Sequence, residues 1–275
     1  MSKSEVCTIV VTFNPNIADF TKNIKEISHY PSKVIIVDNN SKPEKIKELR
    51  SLIKRLNLTL YELADNYGIG YAQNYAIRKE HSDYYFFLDQ DSYVSVNQFN
   101  MLLTEFKNLK SQDKHIAALG PTIYDASPSR GKASLVEKII SSGSIISKEA
   151  LATIGLMRDD FFIDYIDYEW CWRATGMGWH IYQSNTVKIH HETNGVLRKN
   201  NHTIDPIFRL FYIYRNATYI VIHEPIQMKI KVKLGCRLLG KLLFQWQLEN
   251  KKQRLKVCLL GVKDGVRGRL SKKGD

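Results

Sequence analysis

The chain is predicted to fold as an open, doubly wound α/β sheet, mostly parallel with helices on both faces, and three observations predict it. Short apolar runs alternate with longer amphipathic stretches through the first half. Most of these runs are continuously apolar, as strands covered on both faces require. A polar cluster follows four of them at once, where strand ends in such sheets meet ligands.

Taken in order, the strand candidates of the first half are VCTIVVT (6–12), KVIIVD (33–38), LTLYEL (58–63), YYFFLD (84–89) and IAALG (116–120). Helix candidates lie between them at 16–28, 43–56, 70–80 and 97–110. In the second of these, Ile46, Leu49, Ile53 and Leu56 recur at helical spacing. The second half changes character. A Ser/Gly-rich turn (SSGSII, 141–146) leads to a helix over 167–175, which Gly176 and Gly178 end. WHIYQ and VKIHH read as two short strands, and a helical segment follows near 206–222.

Composition narrows the function classes. With 44% hydrophobic and 25% charged residues and no repeat, the chain is globular. No apolar stretch approaches the length of a membrane span, and the opening MSKSEVCTIVVTFN lacks the features of a signal peptide. Cys7, Cys171, Cys236 and Cys258 are scattered, which suits reduced thiols in a cytoplasmic protein. Of the formal charge of +12, fourteen Lys or Arg against three acids from Pro225 onward supply +11. The first 224 residues are close to neutral, which argues against a general nucleic-acid surface. The chain therefore divides into a catalytic unit at 1–222 and a basic, amphipathic helical extension at 223–275. In that extension Leu234, Leu238, Leu239, Leu242, Leu243 and Trp246 form one apolar stripe, and Leu255, Leu259, Val262 and Val266 form another. Such segments suit an anionic membrane surface, or else close the back of the catalytic unit. The link at 226–234 fits strand or helix.

The chemistry concentrates in DYYFFLDQDSYV (83–94). Asp89 and Asp91 are one residue apart at a strand end, so their side chains point the same way. Unpaired, they repel each other. A divalent metal that neutralises a diphosphate is the simplest partner. A third ligand could come from His190 or His191, of which a strand delivers one; oxygen ligands favour Mg2+, and imidazole makes Mn2+ equally suitable. The turn after the first strand, TFNPN, has neither the GxGxxG of dinucleotide oxidoreductases nor a lysine-bearing phosphate loop. A non-catalytic, membrane-associated scaffold that holds a phosphate-bearing ligand is the remaining rival.

In their order, VVTFNP, VDNNS, NYGIGYAQN, FFLDQDS, FIDYIDYEWCWR and HHETNG resemble the inverting family 2 glycosyltransferases of GT-A fold. More narrowly they resemble bacterial rhamnosyltransferases of O-antigen, capsule or cell-wall synthesis. The resemblance covers roughly residues 6–220. It implies a donor that is a dTDP-sugar or UDP-sugar, a lipid-linked glycan acceptor, and a place at the inner face of the cell membrane. It implies that Thr12, Phe13, Asn14, Asp38 and Asn40 hold the nucleoside. Asn66, Gly68, Gly70 and Asn74 would face the donor sugar and diphosphate, with Gln90 also on the donor. Asp91 would be the main metal ligand, Asp89 a ribose or metal contact, and His191, with His190 as the alternative, a further ligand. Asp167 matches the catalytic base that deprotonates the acceptor hydroxyl. Asp164 and Glu169 compete for that role, although Glu169 stands four residues before Arg173 and suits a salt bridge. At most one of Trp170, Trp172 and Trp179 is expected in the acceptor groove.

Overall fold

The computed structural model describes residues 5–123, 131–189, 198–199, 202–270 and 272. The first half alternates β1 (Val6–Thr12), α1 (Ile17–Ile27), β2 (Lys33–Asp38), α2 (Pro43–Arg55), β3 (Thr59–Glu62), α3 (Ile69–Lys79), β4 (Tyr84–Asp89) and α4 (Val96–Gln112). After it come β5 (Ile116–Ile123), β6 (Ala133–Val136), β7 (Ser144–Ser147), α5 (Lys148–Ile154), α6 (Ile166–Gly176) and β8 (His180–Ile189). The two-residue strands β9 (Arg198–Lys199) and β10 (His202–Thr203) pair with each other, and α7 (Ile207–His223), α8 (Met228–Gln245) and α9 (Lys251–Val266) follow.

The main sheet has eight strands in the order β3-β2-β1-β4-β7-β5-β8-β6. β1 pairs in parallel with β2 and β4, β2 with β3, and β5 with β8; β7 and β6 run antiparallel to their neighbours. Along β1 the two-residue period divides the core. Cys7, Ile9 and Val11 join one cluster with residues of α3, α5, α6 and α7. Val6 and Val10 join the other, with residues of α1, α2 and α4. A strand that must feed both clusters has no room for polar alternation, which is why VCTIVVT is apolar but for Thr8 and Thr12, whose hydroxyls bond Ser32 and Asp38. Local chemistry starts the helices. Asn16 caps α1 by accepting from the Ala18 N–H, and Ser95 and Gln98 form a reciprocal capping box on α4.

Two readings of the second half need correction. WHIYQ and VKIHH do not form two strands, because residues 180–189 are one continuous strand, kept on β5 through irregularities in its register. The Ser/Gly-rich turn ends at Gly143, and Ser144–Ser147 form β7, a buried strand between β4 and β5. Its serines are partnered locally: the Ser144 hydroxyl donates to Ser141 O, and Ser147 caps α5. The short polar segment therefore lacks the apolar signature of a core strand.

The basic extension folds as α8 and α9, which resolves the undecided link as helix. Ile230 and Leu234 on α8 and Cys258 on α9 belong to the same core cluster as α7. α9 lies against α7 at backbone distance. A Cβ on Gly261 would stand 2.5 Å from Phe211 O, and one on Gly265 would stand 2.5 Å from Arg215 O. No helix among the described residues is long and apolar enough to cross a membrane.

Candidate active site

The carboxyl ends of β1, β2 and β4 are tied together by side chains. Thr12 Oγ1 donates to Asp38 Oδ2 at 2.9 Å, and Ser41 donates to Asp38 through both its hydroxyl (2.6 Å) and its N–H (2.8 Å). The Asn14 N–H reaches Ser41 Oγ at 2.7 Å, and Asn14 Oδ1 accepts from the Lys42 N–H at 2.8 Å. Gln90 bonds Phe13 twice, accepting from its N–H at 2.8 Å and donating to its carbonyl at 3.3 Å. These bonds fix the rim of a cavity of about 1090 Å³ bordered by Thr12, Phe13, Asn66, Gly68, Asp89, Gln90, Asp91 and Asp167.

Asp89 and Asp91 meet inside this cavity. Asp89 is half-buried and Asp91 is exposed. The Asp89 carboxyl is pushed up to about 7, first by burial and then by the charge of Asp91. A pair of oxygen-donor carboxylates on one cavity wall fits a hard divalent cation such as Mg2+ or Mn2+, completed by ligand oxygens and water. No group of three or more His, Cys, Asp or Glu that could hold a metal occurs among the described residues. His190 and His191, the expected further ligands, lie outside the described residues.

Asp167 enters the cavity from the first turn of α6. Its Oδ1 accepts from the Tyr168 N–H at 2.8 Å and its Oδ2 from the Ser141 N–H at 3.3 Å. Burial raises its carboxyl to about 6, the two N–H groups pull it back, and the charge of Asp89 adds a smaller upward push. A carboxylate poised near neutrality can accept a proton from a hydroxyl. The loop before it is strained. Phe162, Asp164 and Tyr165 all have positive φ (65°, 68° and 66°), unusual for side-chain-bearing residues. Buried groups on α7 hold it there. Arg215 donates to Phe161 O at 2.7 Å, and the Asn216 amide donates to the carbonyls of Phe161, Ile163 and Asp164.

The carboxylates that compete with Asp167 have other partners. Asp164 pairs with Arg209 at 2.5 Å, and Glu169 pairs with Arg173, whose guanidinium also donates to Ile154 O and Leu156 O. Trp170 is core and donates to Gly155 O, Trp179 packs edge-on against His115, and Trp172 lies beside Tyr168.

Five of the expected donor contacts do not border the cavity. Asp38 is 1% exposed, and its oxygens are taken by Thr12 and Ser41. Asn14 holds the β1 and β2 loops together, and Asn40 is exposed beside them. Asn74 is buried and exchanges two hydrogen bonds with the Met157 backbone. Gly70 gives its missing side chain to protein: a Cβ there would stand 2.6 Å from Arg158 O. Gly68, although it borders the cavity, does the same, at 2.3 Å from Phe162 O with φ +90°. Several lining residues escaped the sequence reading, namely Asn39, Gln73, Ser141 and Ser142 and, from the basic extension, Gln253 and Val257. Asn39 directly follows the expected Asp38, so the VDNNS cluster carried its signal. Nothing in the sequence marks Gln253 or Val257 as site residues.

Residues 7–131 match the family described as glycosyl transferase family 2. The chain is 29% identical over 294 residues to the dTDP-rhamnosyl transferase RfbF of Shigella flexneri, a match that covers 96% of each chain. Among solved structures it is similar to the mannosyltransferase PcManGT from Pyrobaculum calidifontis in complex with GDP-Man and Mn2+. That match has a TM-score of 0.59 and 14% identity, and covers 97% of this chain and 76% of the other. It is also similar to residues 1–349 of S. aureus TarS in complex with UDP-GlcNAc, with a TM-score of 0.63, 14% identity and coverage of 96% and 81%. Strand-end geometry, sequence relationship and architecture agree: residues 7–131 match the family 2 glycosyltransferases, and the chain has the fold of the GT-A transferases.

Proposed function

We propose that the protein is an inverting glycosyltransferase that moves L-rhamnose from dTDP-rhamnose onto a hydroxyl of a lipid-linked glycan in bacterial surface-polysaccharide synthesis. The observation that carries this reading is that Asp167 and the Asp89/Asp91 pair border one cavity. The name of the Shigella relative supports the choice of donor. Asp167 takes the proton of the acceptor hydroxyl as its oxygen bonds to the anomeric carbon. The bond from that carbon to the nucleoside diphosphate breaks on the opposite face, which inverts the centre. Thr12, Phe13, Asn66 and Gln90 border the donor end, while Asp38, Asn14 and Asn74 hold that end in shape. Asp89 and Asp91 would hold Mn2+ or Mg2+, with His191 or His190 as a further ligand, and the ion would offset the charge of the leaving diphosphate.

The test is a thermal-shift panel of nucleoside diphosphates and sugar nucleotides with and without Mn2+, followed by release of nucleoside diphosphate from each donor that binds. Stabilisation and slow turnover with dTDP-rhamnose are expected. A response to UDP-sugars alone would move the protein to a UDP-sugar donor, the kind present in the TarS complex. Binding without turnover of any donor would make it a non-catalytic nucleotide-sugar holder.

The same reading puts the extension at 223–275 on the cytoplasmic face of the cell membrane. Support comes from α8, whose outward side carries Met228, Val232, Leu239, Leu243 and Trp246, each 58–70% exposed. Lys229, Lys231 and Lys233 flank this stripe, as suits a helix lying on anionic lipid. Leu239→Glu combined with Leu243→Glu should abolish co-sedimentation with phosphatidylglycerol vesicles. Retained co-sedimentation removes α8 as the anchor, and a dimer that the same double variant dissolves assigns the stripe to a second copy of the chain.

A further inference from the structure

We propose that the cations gathered where β6 meets α8 form a second anion site, which takes a phosphate group beside Tyr168 and away from the Asp89/Asp91 pair. Lys138, two residues after β6, is half-buried, with its Nζ 3.9 Å from the centre of the Tyr168 ring and 5.6 Å from that of Trp172. Tyr168 borders the active-site cavity and directly follows Asp167. Lys138 forms no ion pair among the described residues. A cation kept half out of water without an anionic partner costs free energy, and a ligand anion would offset that cost.

The neighbours strengthen the field. Lys229, Lys233 and Arg237 recur every four residues, so they line one side of α8. Glu137 is shared by Lys229 (3.1 Å) and Lys233 (3.2 Å), which sets that side of α8 against the chain just after β6. Burial first and then the charge of Arg237 disfavour the protonated form of Lys138, so the two cations feel each other. The carboxylates facing this group are Glu137 and, behind Tyr168, Asp167. Four cations against two carboxylates leave an excess that matches a phosphate or diphosphate dianion. Within the transferase reading, on which the identity of the carrier rests, such a group lies near the reacting hydroxyl of the acceptor. Membrane phospholipid headgroups carry the same chemistry, and the apolar stripe of α8 adjoins the cluster.

The experiment compares the full-length protein with Lys138→Gln/Arg237→Gln and with a charge-matched control, Lys22→Ala/Lys47→Ala. One arm titrates inorganic pyrophosphate calorimetrically in the presence of a chelator. The other measures binding to phosphatidylglycerol and to phosphatidylcholine vesicles. A loss of at least tenfold in the Lys138/Arg237 variant, with the control unchanged, is expected in one arm or both. Loss in the pyrophosphate arm assigns a substrate-borne phosphate, and loss with phosphatidylglycerol vesicles alone assigns a headgroup. No loss in either arm, or equal loss in the control, overturns the site. Donor turnover by the unmodified protein is measured separately, so failure of the transferase reading and failure of this site give different results.

Discussion

The side-chain amide of Asn216, buried in α7, donates to the backbone carbonyl of Asp164 at 2.8 Å and so holds the turn that delivers Asp167 to the cavity. The same amide reaches Ile163 O, also at 2.8 Å. Asp164 itself has positive φ, and Ile163 lies between it and Phe162, which has positive φ too, so these bonds hold strained backbone in place. Asn216→Ala should therefore lower the transfer rate about tenfold or more, with a smaller change in donor KM. It should also lower stability by about 1–3 kcal/mol, because buried carbonyls lose their donor. Steady-state kinetics and thermal melting check both effects.

The proposed base, Asp167, would accept a proton only in its ionised form. With its carboxyl raised to about 6, transfer should fall about tenfold per pH unit below that value and level off above it. Asp167→Asn should abolish transfer while leaving the donor thermal shift in place. A flat profile between pH 5 and 7, or an active Asn variant, removes Asp167 from the mechanism.

Asp89 gives a stability prediction with the opposite sign from a salt-bridged carboxylate. The unfolded carboxyl releases its proton near 3.8 and the folded one near 7, so the metal-free native state holds the extra proton between those values. Stability therefore declines as pH rises through that window. Asp89→Asn should stabilise the metal-free protein at pH 8 by about 1–3 kcal/mol, reduced because the side chain borders an open cavity. The gain should vanish near pH 4. The same variant should lose the added stability expected from Mn2+ in the unmodified protein, as melting curves with and without the ion would record.

The contact between α7 and α9 should tolerate no side chain on the glycine face. Gly261→Ala or Gly265→Ala drives a Cβ into the carbonyl of Phe211 or Arg215 and should cost about 1–3 kcal/mol. Gly240→Ala, where a Cβ meets nothing within 4 Å, is the control and should be neutral or slightly stabilising. Urea unfolding of the three variants separates the two cases.

The alternating strands and helices were legible because each apolar run of the first half feeds two core clusters at once. The Glu169–Arg173 pair was legible from its i,i+4 spacing. β7 was not, because its serines satisfy themselves locally and look like turn chemistry. The roles of Gly68 and Gly70 were also hidden. A glycine reports that something comes close, but not whether it is a ligand or, as here, the backbone of Phe162 and Arg158. Asp38 shows the same limit, since a polar strand-end residue can face a ligand or bond the neighbouring loop, and here its carboxylate accepts two bonds from Ser41 and one from Thr12. Cavity residues from α9 reach the site through long-range packing that no local pattern encodes.

Arg215 faces two ways: its guanidinium grips Phe161 O, and its own carbonyl accommodates the bare Gly265 of α9. Positions 161, 215, 261 and 265 should therefore vary together among homologues rather than singly. A lineage that gained bulk at 265 would have to re-seat α7, and with it the loop that carries Asp167 into the cavity. Sequence drift in α9 is thereby coupled to the placement of Asp167.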